Sequence, residues 1–465
     1  MATSEHEGEI DAQRGEIELE ITDVAHGGVF VGRHVDDESA ERGGRVVFVP
    51  DALPGERVRV RLTDTSKPAF WRGEALEVLT ASPHRRPHIW RQADIDIPPA
   101  QRPGGADFGH ITLDHQRELK AQVIRDALAR IGGLALPVTV SEPIAADGGA
   151  AETLDGTAWR TRVSVHVDAD GRVGPYAARS HRVIEVDDHP LATPEIAAAL
   201  AATARRGARA GRIDLVQPAD GRVRVIERPD AGERRGRRGP RRGGAPTQRA
   251  ADRATDPAAA ETVIETVGGR PFRVAAGGFW QVHRLAAHTL STALADLLVS
   301  DGGVDPDAWH LDLYGGVGLL AAAVAGVAGP GSRITTVESD PRATEHAGEN
   351  LADWVGARAE TGRVDRWLAQ LAASASAAER ARLSGGVVVL DPPRAGAGRE
   401  VVERVAALRP TRVAYVACDP VALARDLGTF AALGYRAGDV RGFDLFPNSH
   451  HIEALVLLTR DDSDR

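Results

Sequence analysis

The chain has 465 residues, 42% hydrophobic and 26% charged, with a formal net charge of −9. Globular composition at that length predicts two to four domains, and no apolar run is long enough to span a bilayer. The single cysteine excludes a disulfide framework, and also a cysteine-ligated zinc or iron–sulfur site within one chain.

The acidic, polar N-terminus carries no signal-peptide pattern, so the expected compartment is the cytoplasm. Basic residues are almost all Arg in a chain rich in Ala and Gly, so arginine content alone says little. The negative net charge argues against nucleic-acid affinity over the whole surface, but not against a local basic face.

Residues 1–15 are expected to be a disordered tail. From Glu16 the pattern alternates, with Ile17, Leu19 and Ile21 apolar. A Gly27-Gly28 turn, Val29–Val31, Arg45–Val49, a Pro54-Gly55 turn, Val58–Leu62 and Gly73–Leu79 follow. Five short strands with Gly and Pro turns predict a small β-barrel over residues 16–83. Arg57, Arg59 and Arg61 alternate along one strand; they either track a phosphate backbone or form a solvated face.

Residues 84–140 read as linker and helix. Pro83–Gly109 is rich in Pro, Gly, His and Arg. Asp114 is the expected cap of a helix carrying Leu119, Val123, Ile124, Leu128 and Ile131, stopped by Gly132-Gly133. Residues 141–270 read as a small central α/β subdomain. Its expected elements are a strand at Arg160–Val167, a turn at Gly171–Pro175, a strand at Val183–Val186, a helix at Pro194–Arg209, and strands at Ile213–Gln217 and Val223–Glu227. Within it, residues 229–260 are an insertion. Glu233–Arg242 holds six Arg and no apolar residue, so it forms no core and is either a solvated loop or a phosphate-binding arm.

From residue 271 to 465, strands and helices alternate, which predicts a mostly parallel sheet of seven strands. His310–Tyr314 is a strand followed by Gly315, Gly316 and Gly318 and then a helix. The spacing fits neither G-x-G-x-x-G nor a P-loop. Glu338 ends the next strand, where an acid binds a ribose diol. A glycine loop with that acid and no pyrophosphate motif suggests a nucleoside-type ligand such as S-adenosylmethionine. Asp391-Pro392-Pro393-Arg394 follows the strand Val387–Leu390, and the two prolines fix the backbone with the carboxylate at the sheet edge.

Val413–Ala417 is the expected short buried strand, Asp419 the expected N-cap and Pro420 the first helical residue. Cys418 therefore stands at the strand-to-helix edge where open α/β sheets place ligands. A helix N-terminus is expected to lower its pKa and make a nucleophile; the alternative is a small buried filler. Glu453 lies at the entry to the last strand between apolar Ile452 and Ala454, where it is either a carboxyl of raised pKa suited to act as a base or a strand-end surface residue. His450 and His451 give only a weak metal signal.

Six motifs in order, G-F-W-Q at Gly278–Gln281, D-L-Y-G-G-V-G at Asp312–Gly318, V-E-S-D at Val337–Asp340, D-P-P-R at Asp391–Arg394, Y-V-A-C-D-P at Tyr415–Pro420 and F-P-N-S-H-H-I-E at Phe446–Glu453, resemble the RNA 5-methyluridine methyltransferases. The resemblance covers nearly the whole chain. It implies a Rossmann-like, class I S-adenosylmethionine-dependent methyltransferase domain over residues 271–465, with an N-terminal TRAM domain, an OB-like RNA-binding barrel. It implies that Gln281, Tyr314, Glu338, Asp365 and Asp391 contact S-adenosyl-L-methionine, that Cys418 is the nucleophile and that Glu453 is the base. The implied partner is RNA, either tRNA or 23S rRNA, with no membrane and a monomer as the expected state.

Uracil chemistry leads the same way. Carbon 5 is a poor nucleophile until a thiolate adds to carbon 6, and a base must then remove the carbon-5 hydrogen so that the thiol leaves. A paired uridine must also be flipped out. The chain departs from the family at several positions. Pro83–Gly109 lacks the four cysteines of an iron–sulfur cluster, so no cluster is expected. Gly315 stands where Cys is common, Leu319 where a polar residue is common, and Ala-Cys-Asp-Pro replaces Ser-Cys-Asn-Pro. The alternatives are a methyltransferase of the same fold on another substrate and a non-catalytic RNA-binding protein.

Overall fold

The structure is a computed structural model, which describes residues 15–35, 44–146, 149–178, 180–230 and 257–461. The expected disordered tail, apart from Gly15, and the Arg-rich run of the insertion lie outside the described residues.

Strands β1 (Glu16–Ala25), β2 (Val29–His34), β3 (Arg45–Val49), β4 (Arg57–Asp64) and β5 (Phe70–Thr80) close into a barrel in the order β1-β2-β3-β5-β4. Period-two alternation turns Ile17, Leu19, Ile21, Val58 and Val60 inward, all essentially inaccessible. The outward arginines of β4 are paired: Arg57 with Glu18, Arg59 with Glu77 at 3.0 Å and Arg61 with Glu74 at 2.7 Å. Of the two readings of that row, the neutralised, solvated face is the one that these contacts favour.

Pro83–Gly109, expected as linker, packs as a brace. Trp90 is fully buried, Arg85 donates to the buried Glu56 at 2.8 Å, and Arg102 reaches Asp51 at 2.6 Å. Helix α1 (Leu113–Ala127) is capped at Thr112 rather than at Asp114, which falls in its first turn. Strand β6 (Val138–Ser141) follows.

In the central subdomain, β7 (Arg162–Val167), β8 (Val173–Gly174), β9 (Gly211–Val216) and β10 (Arg224–Pro229) make an antiparallel sheet in the order β10-β9-β7-β8, with helix α2 (Pro194–Arg206) between β8 and β9 in sequence. The turn expected at Gly171–Pro175 holds β8. The strand expected at Val183–Val186 reduces to one bridge from Val183 to Tyr176. Gly174 explains the swap, since the Ile184 carbonyl lies where a side chain would start. A hairpin of β11 (Thr262–Val267) and β12 (Arg270–Ala275) leads into helix α3 (Ala286–Ser300).

The last third supplies β13 (Trp309–Leu313), α4 (Leu319–Ala328), β14 (Arg333–Glu338), α5 (Pro341–Asn350), β15 (Arg358–Thr361), α6 (Val364–Ser374), α7 (Ala377–Ser384) and β16 (Val387–Leu390). After these come α8 (Arg399–Ala407), β17 (Arg412–Ala417), α9 (Pro420–Ala432), β18 (Tyr435–Ala437), β19 (Val440–Phe443) and β20 (Glu453–Arg460). The sheet order β15-β14-β13-β16-β17-β20-β19 accounts for the expected seven strands. Two more join: β6 pairs parallel to β19, and β18 pairs with β20, giving nine. Strands β13 to β17 are mutually parallel and β20 is antiparallel to β17, so the C-terminal ends of the parallel strands and the start of β20 share one edge.

Candidate active site

That edge carries the chemistry. β13 runs into Tyr314, held at φ 66°, and the glycine loop opens α4. A Cβ at Gly315 would stand 1.9 Å from Thr336 Oγ1 and 2.4 Å from Asp312 Oδ2, so no side chain fits there. Asp312, fully buried beneath the loop, accepts from Ala321 N at 3.2 Å and Thr336 Oγ1 at 3.1 Å, while its Oδ1 has no partner among the described residues. Burial pushes its carboxyl up to about 7. Glu338, at the end of β14, accepts from Gly316 N at 3.3 Å and Asp340 N at 2.8 Å, so the acid and the glycine loop hold each other. Asp340 caps α5 by accepting from Arg342 N at 3.0 Å.

Asp391 follows β16 and donates its N–H to Leu313 O at 3.3 Å, which ties the D-P-P-R segment to the glycine-loop strand. Burial, then the neighbouring Asp312, pushes its carboxyl up to about 7. Cys418 ends β17, and Asp419 caps α9 by accepting from Ala422 N at 2.8 Å. Ala417 pairs with Ala454, so the antiparallel ladder sets Cys418 beside Glu453. Glu453 is buried, and burial and Asp391 together raise its carboxyl well above the ordinary range, against the pull of Arg394. The expected rise at Glu453 is therefore met.

The expected fall at Cys418 is not. The half-buried thiol is pushed up to about 12, first by burial and then by the Glu453 and Asp391 carboxylates, with Arg394 opposing. Two carboxylates and lost hydration outweigh one helix N-terminus.

One cavity of about 1360 Å³ is lined by all seven residues singled out in the sequence: Gln281, Tyr314, Glu338, Asp365, Asp391, Cys418 and Glu453. That exceeds a typical small-molecule site and leaves room for two ligands end to end. Asp365 sits in the first turn of α6, its carboxylate held by Arg363 at 3.1 and 3.0 Å. Tyr314 is pushed up to about 12 by burial and by Asp365 and Asp426. Gln281 follows Phe279, 71% exposed, and the buried Trp280.

Arg394 and His451 also line the cavity, and Asp312 underlies it; sequence assigns Arg394 and Asp312 no role and weighs His451 only as a weak metal signal. The D-P-P-R and D-L-Y-G-G motifs contain two of them, but their facing partners are tertiary. The histidine pair does not make a metal site. His450 Nδ1 lies 2.6 Å from Asp107, Arg394 donates to His451 Nε2 at 3.4 Å, and among the described residues no group of three or more His, Cys, Asp or Glu is placed to hold a metal. Among the same residues no helix is long and apolar enough to cross a membrane.

Comparison with known proteins bears on this geometry. The family model described as tRNA (uracil-5-)-methyltransferase matches residues 380–461, and the TRAM domain model matches residues 13–76. An uncharacterized RNA methyltransferase of Streptomyces avermitilis is 36% identical, over 95% of this chain and 98% of that protein. One of Bifidobacterium longum is 34% identical, over 90% and 92%. The crystal structure of Pyrococcus abyssi tRNA (uracil-54, C5)-methyltransferase in complex with S-adenosyl-L-homocysteine overlays with a TM-score of 0.61. The overlay covers 95% of this chain and all of that one, at 19% identity, which is a likeness of fold. The fold is accordingly that of a class I S-adenosylmethionine-dependent methyltransferase with an N-terminal TRAM barrel.

Proposed function

The chain belongs to the tRNA (uracil-5-)-methyltransferase family of RNA methyltransferases, and from that premise we propose that it methylates carbon 5 of a uridine in tRNA or 23S rRNA through a covalent Cys418 adduct. The observation that carries this reading is the register that sets Cys418, the one thiol of the chain, beside the buried Glu453 on the wall of the glycine-loop cavity.

The residues at the glycine loop suit S-adenosylmethionine. Gly316, with open space where a Cβ would stand, leaves the backbone bare for close approach, and Glu338 presents a carboxylate at a strand end where a ribose diol binds. Gln281, Tyr314 and Asp365 line the same cavity, and Asp391 lies close both to Asp312 beneath the loop and to Cys418. When bound, the cofactor supplies an electrophilic methyl group.

In the empty cavity Cys418 is a thiol, so addition to carbon 6 of the uracil requires loss of its proton to the neighbouring Asp391 carboxylate, which leaves Glu453 to act as the later base. The new sulfur–carbon bond places electron density on carbon 5, which takes the methyl group. Glu453, ionised, then accepts the carbon-5 hydrogen, and the electron pair left behind expels the Cys418 sulfur. A carboxylate held above its ordinary pKa is a stronger base for that step.

The test is methyl transfer from labelled S-adenosylmethionine to unmodified total RNA, with wild type beside Cys418→Ala and the labelled nucleoside identified. The expected result is 5-methyluridine that disappears in the mutant, with the size of the labelled RNA separating tRNA from 23S rRNA. Label on another nucleoside, or transfer that survives the mutation, overturns the reading.

A further inference from the structure

The turn between β1 and β2 of the barrel touches the catalytic domain at two places. Gly28, at φ 70°, is pressed on the Asp107–His450 pair: a Cβ there would stand 2.2 Å from Asp107 Oδ2 and 2.8 Å from His450 Nδ1. That pair is itself tight. His450 Nδ1 lies 2.6 Å from Asp107 Oδ2, and the His450 N–H donates to the same oxygen at 3.2 Å. The second contact is His26 Nε2, 3.4 Å from Asp419 Oδ2.

Asp419 divides its carboxylate. Oδ1 accepts from Ala422 N and fixes the start of α9, while Oδ2 faces the barrel. Cys418 is the adjoining residue, so a displacement of Asp419 passes to the thiol through one peptide link. A small cavity of about 60 Å³ lies in this seam, bounded by His26 and Gly27 on the barrel side and by Arg394, Cys418, Asp419 and His451 on the other. From His450 the contacts continue to the adjacent His451 ring, at 4.1 Å between centroids, and from His451 to Arg394.

We infer that the β1–β2 turn is a positioning device for the Cys418 loop: Gly28 seats the barrel on Asp107 and His450, and His26 braces Asp419. The TRAM barrel then serves the methyl-transfer step itself in addition to gripping RNA. This rests on the reading of Cys418 as nucleophile. His26 is a positioning residue, since it reaches the thiol only through Asp419. Its side chain is 45% exposed, so losing the pair leaves folding intact. Reacting groups displaced by about 1 Å lose rate up to roughly 10²-fold, which makes a loosened brace measurable.

The experiment uses the full chain as wild type, His26→Ala, His26→Gln and Gly28→Ala. Cys418 is the one cysteine, so alkylation by iodoacetamide without RNA or cofactor reads the position of its thiol directly. Methyl transfer to RNA gives kcat and KM separately. In His26→Ala the alkylation rate is expected to change by about 3-fold or more, and kcat to fall about 10-fold with KM for RNA within about 2-fold. His26→Gln keeps a donor near Asp419 and is expected to restore both. Gly28→Ala, which forces the turn off Asp107 and His450, is expected to match or exceed the loss. Unchanged alkylation with a raised KM and normal kcat overturns the inference and leaves the turn a plain RNA contact. Failure of the nucleophile reading shows separately, as methyl transfer that survives Cys418→Ala.

Discussion

Cys418 and Glu453 leave the sheet side by side, because Ala417 pairs with Ala454 across the antiparallel ladder of β17 and β20. Glu453 raises the proton affinity of the thiol: burial first, and then the Glu453 carboxylate, push it up to about 12. The sign is then fixed. An acid with a raised pKa is mostly protonated at neutral pH, and its reactive thiolate grows as pH rises. Alkylation of Cys418 in the free protein should therefore climb about tenfold per pH unit from roughly pH 7 to 10, with no plateau. A plateau near neutrality would mean that the N-terminus of α9 prevails over the carboxylates.

Glu453→Gln removes a negative charge beside the sulfur and a base from the reaction, and the two effects separate. The thiol pKa falls, so alkylation at about pH 8 should speed up several-fold. Turnover should drop by about 10²–10⁴, because the carbon-5 hydrogen has no acceptor. Methylated RNA should then remain attached to the protein as a band stable to denaturing electrophoresis. Normal turnover in this variant would move the base elsewhere in the cavity.

Gly315 stands where the family resemblance leads to the expectation of a cysteine, and in this chain no side chain fits there. Thr336 Oγ1 and Asp312 Oδ2 occupy the space, and they bond each other at 3.1 Å. Gly315→Ala should cost about 1–3 kcal/mol of stability by overpacking and weaken S-adenosylmethionine binding, as read by thermal unfolding and calorimetry. Adding Thr336→Ala opens the space and should recover part of the loss in stability. A single mutant that binds cofactor normally would show that the loop yields easily.

These positions mark how far the sequence is legible. Barrel strands and parallel strands could be read because each repeats a strong local pattern, two-fold alternation at Ile17–Ile21 and a continuous apolar run at Val387–Leu390. Six of the seven residues proposed for the site sit in a quoted motif, five of those at a strand end, and Asp365 sits in none; all seven line one cavity. The thiol pKa was read with the wrong sign, since the burial and carboxylates that raise it arrive from β16 and β20. The brace at Pro83–Gly109 was read as linker because Trp90 and Arg102 are buried against distant partners that carry no local signature. Strand β6 has four residues and finds its pair about 300 residues away.

The row of arginines on β4 gives a prediction that separates net charge from residue count. Arg59 and Arg61 are each roughly half exposed and paired with a glutamate. Exposed pairs contribute about 0–1 kcal/mol, and a neutralised arginine releases few counterions on RNA binding. Arg59→Ala should therefore change RNA affinity by less than about 3-fold and leave the salt dependence nearly as it was. A fall in affinity of an order of magnitude, with a shallower salt slope, would restore this face as a phosphate track.

Asp426 on α9 is the hub that joins the helix after Cys418 to the segment after D-P-P-R. Fully buried, its Oδ2 accepts from Tyr415 Oη at 2.6 Å, Ala397 N at 2.8 Å and Gly398 N at 3.2 Å, while Arg425 donates to Oδ1 at 3.0 Å. Tyr415→Phe removes one donor and leaves the carboxylate three, so it should cost about 1–3 kcal/mol in denaturant unfolding. Asp426→Ala removes the acceptor of Gly398 N and of the tyrosine hydroxyl, and one of the two acceptors each of Ala397 N and Arg425, and should cost more, about 3–5 kcal/mol. Because Ala397 and Gly398 border the cofactor cavity, Asp426→Ala should also weaken S-adenosylmethionine binding, whereas Tyr415→Phe, which keeps both backbone bonds, should bind nearly normally. Equal stability of the two variants would show that the segment is held by its prolines rather than by the carboxylate.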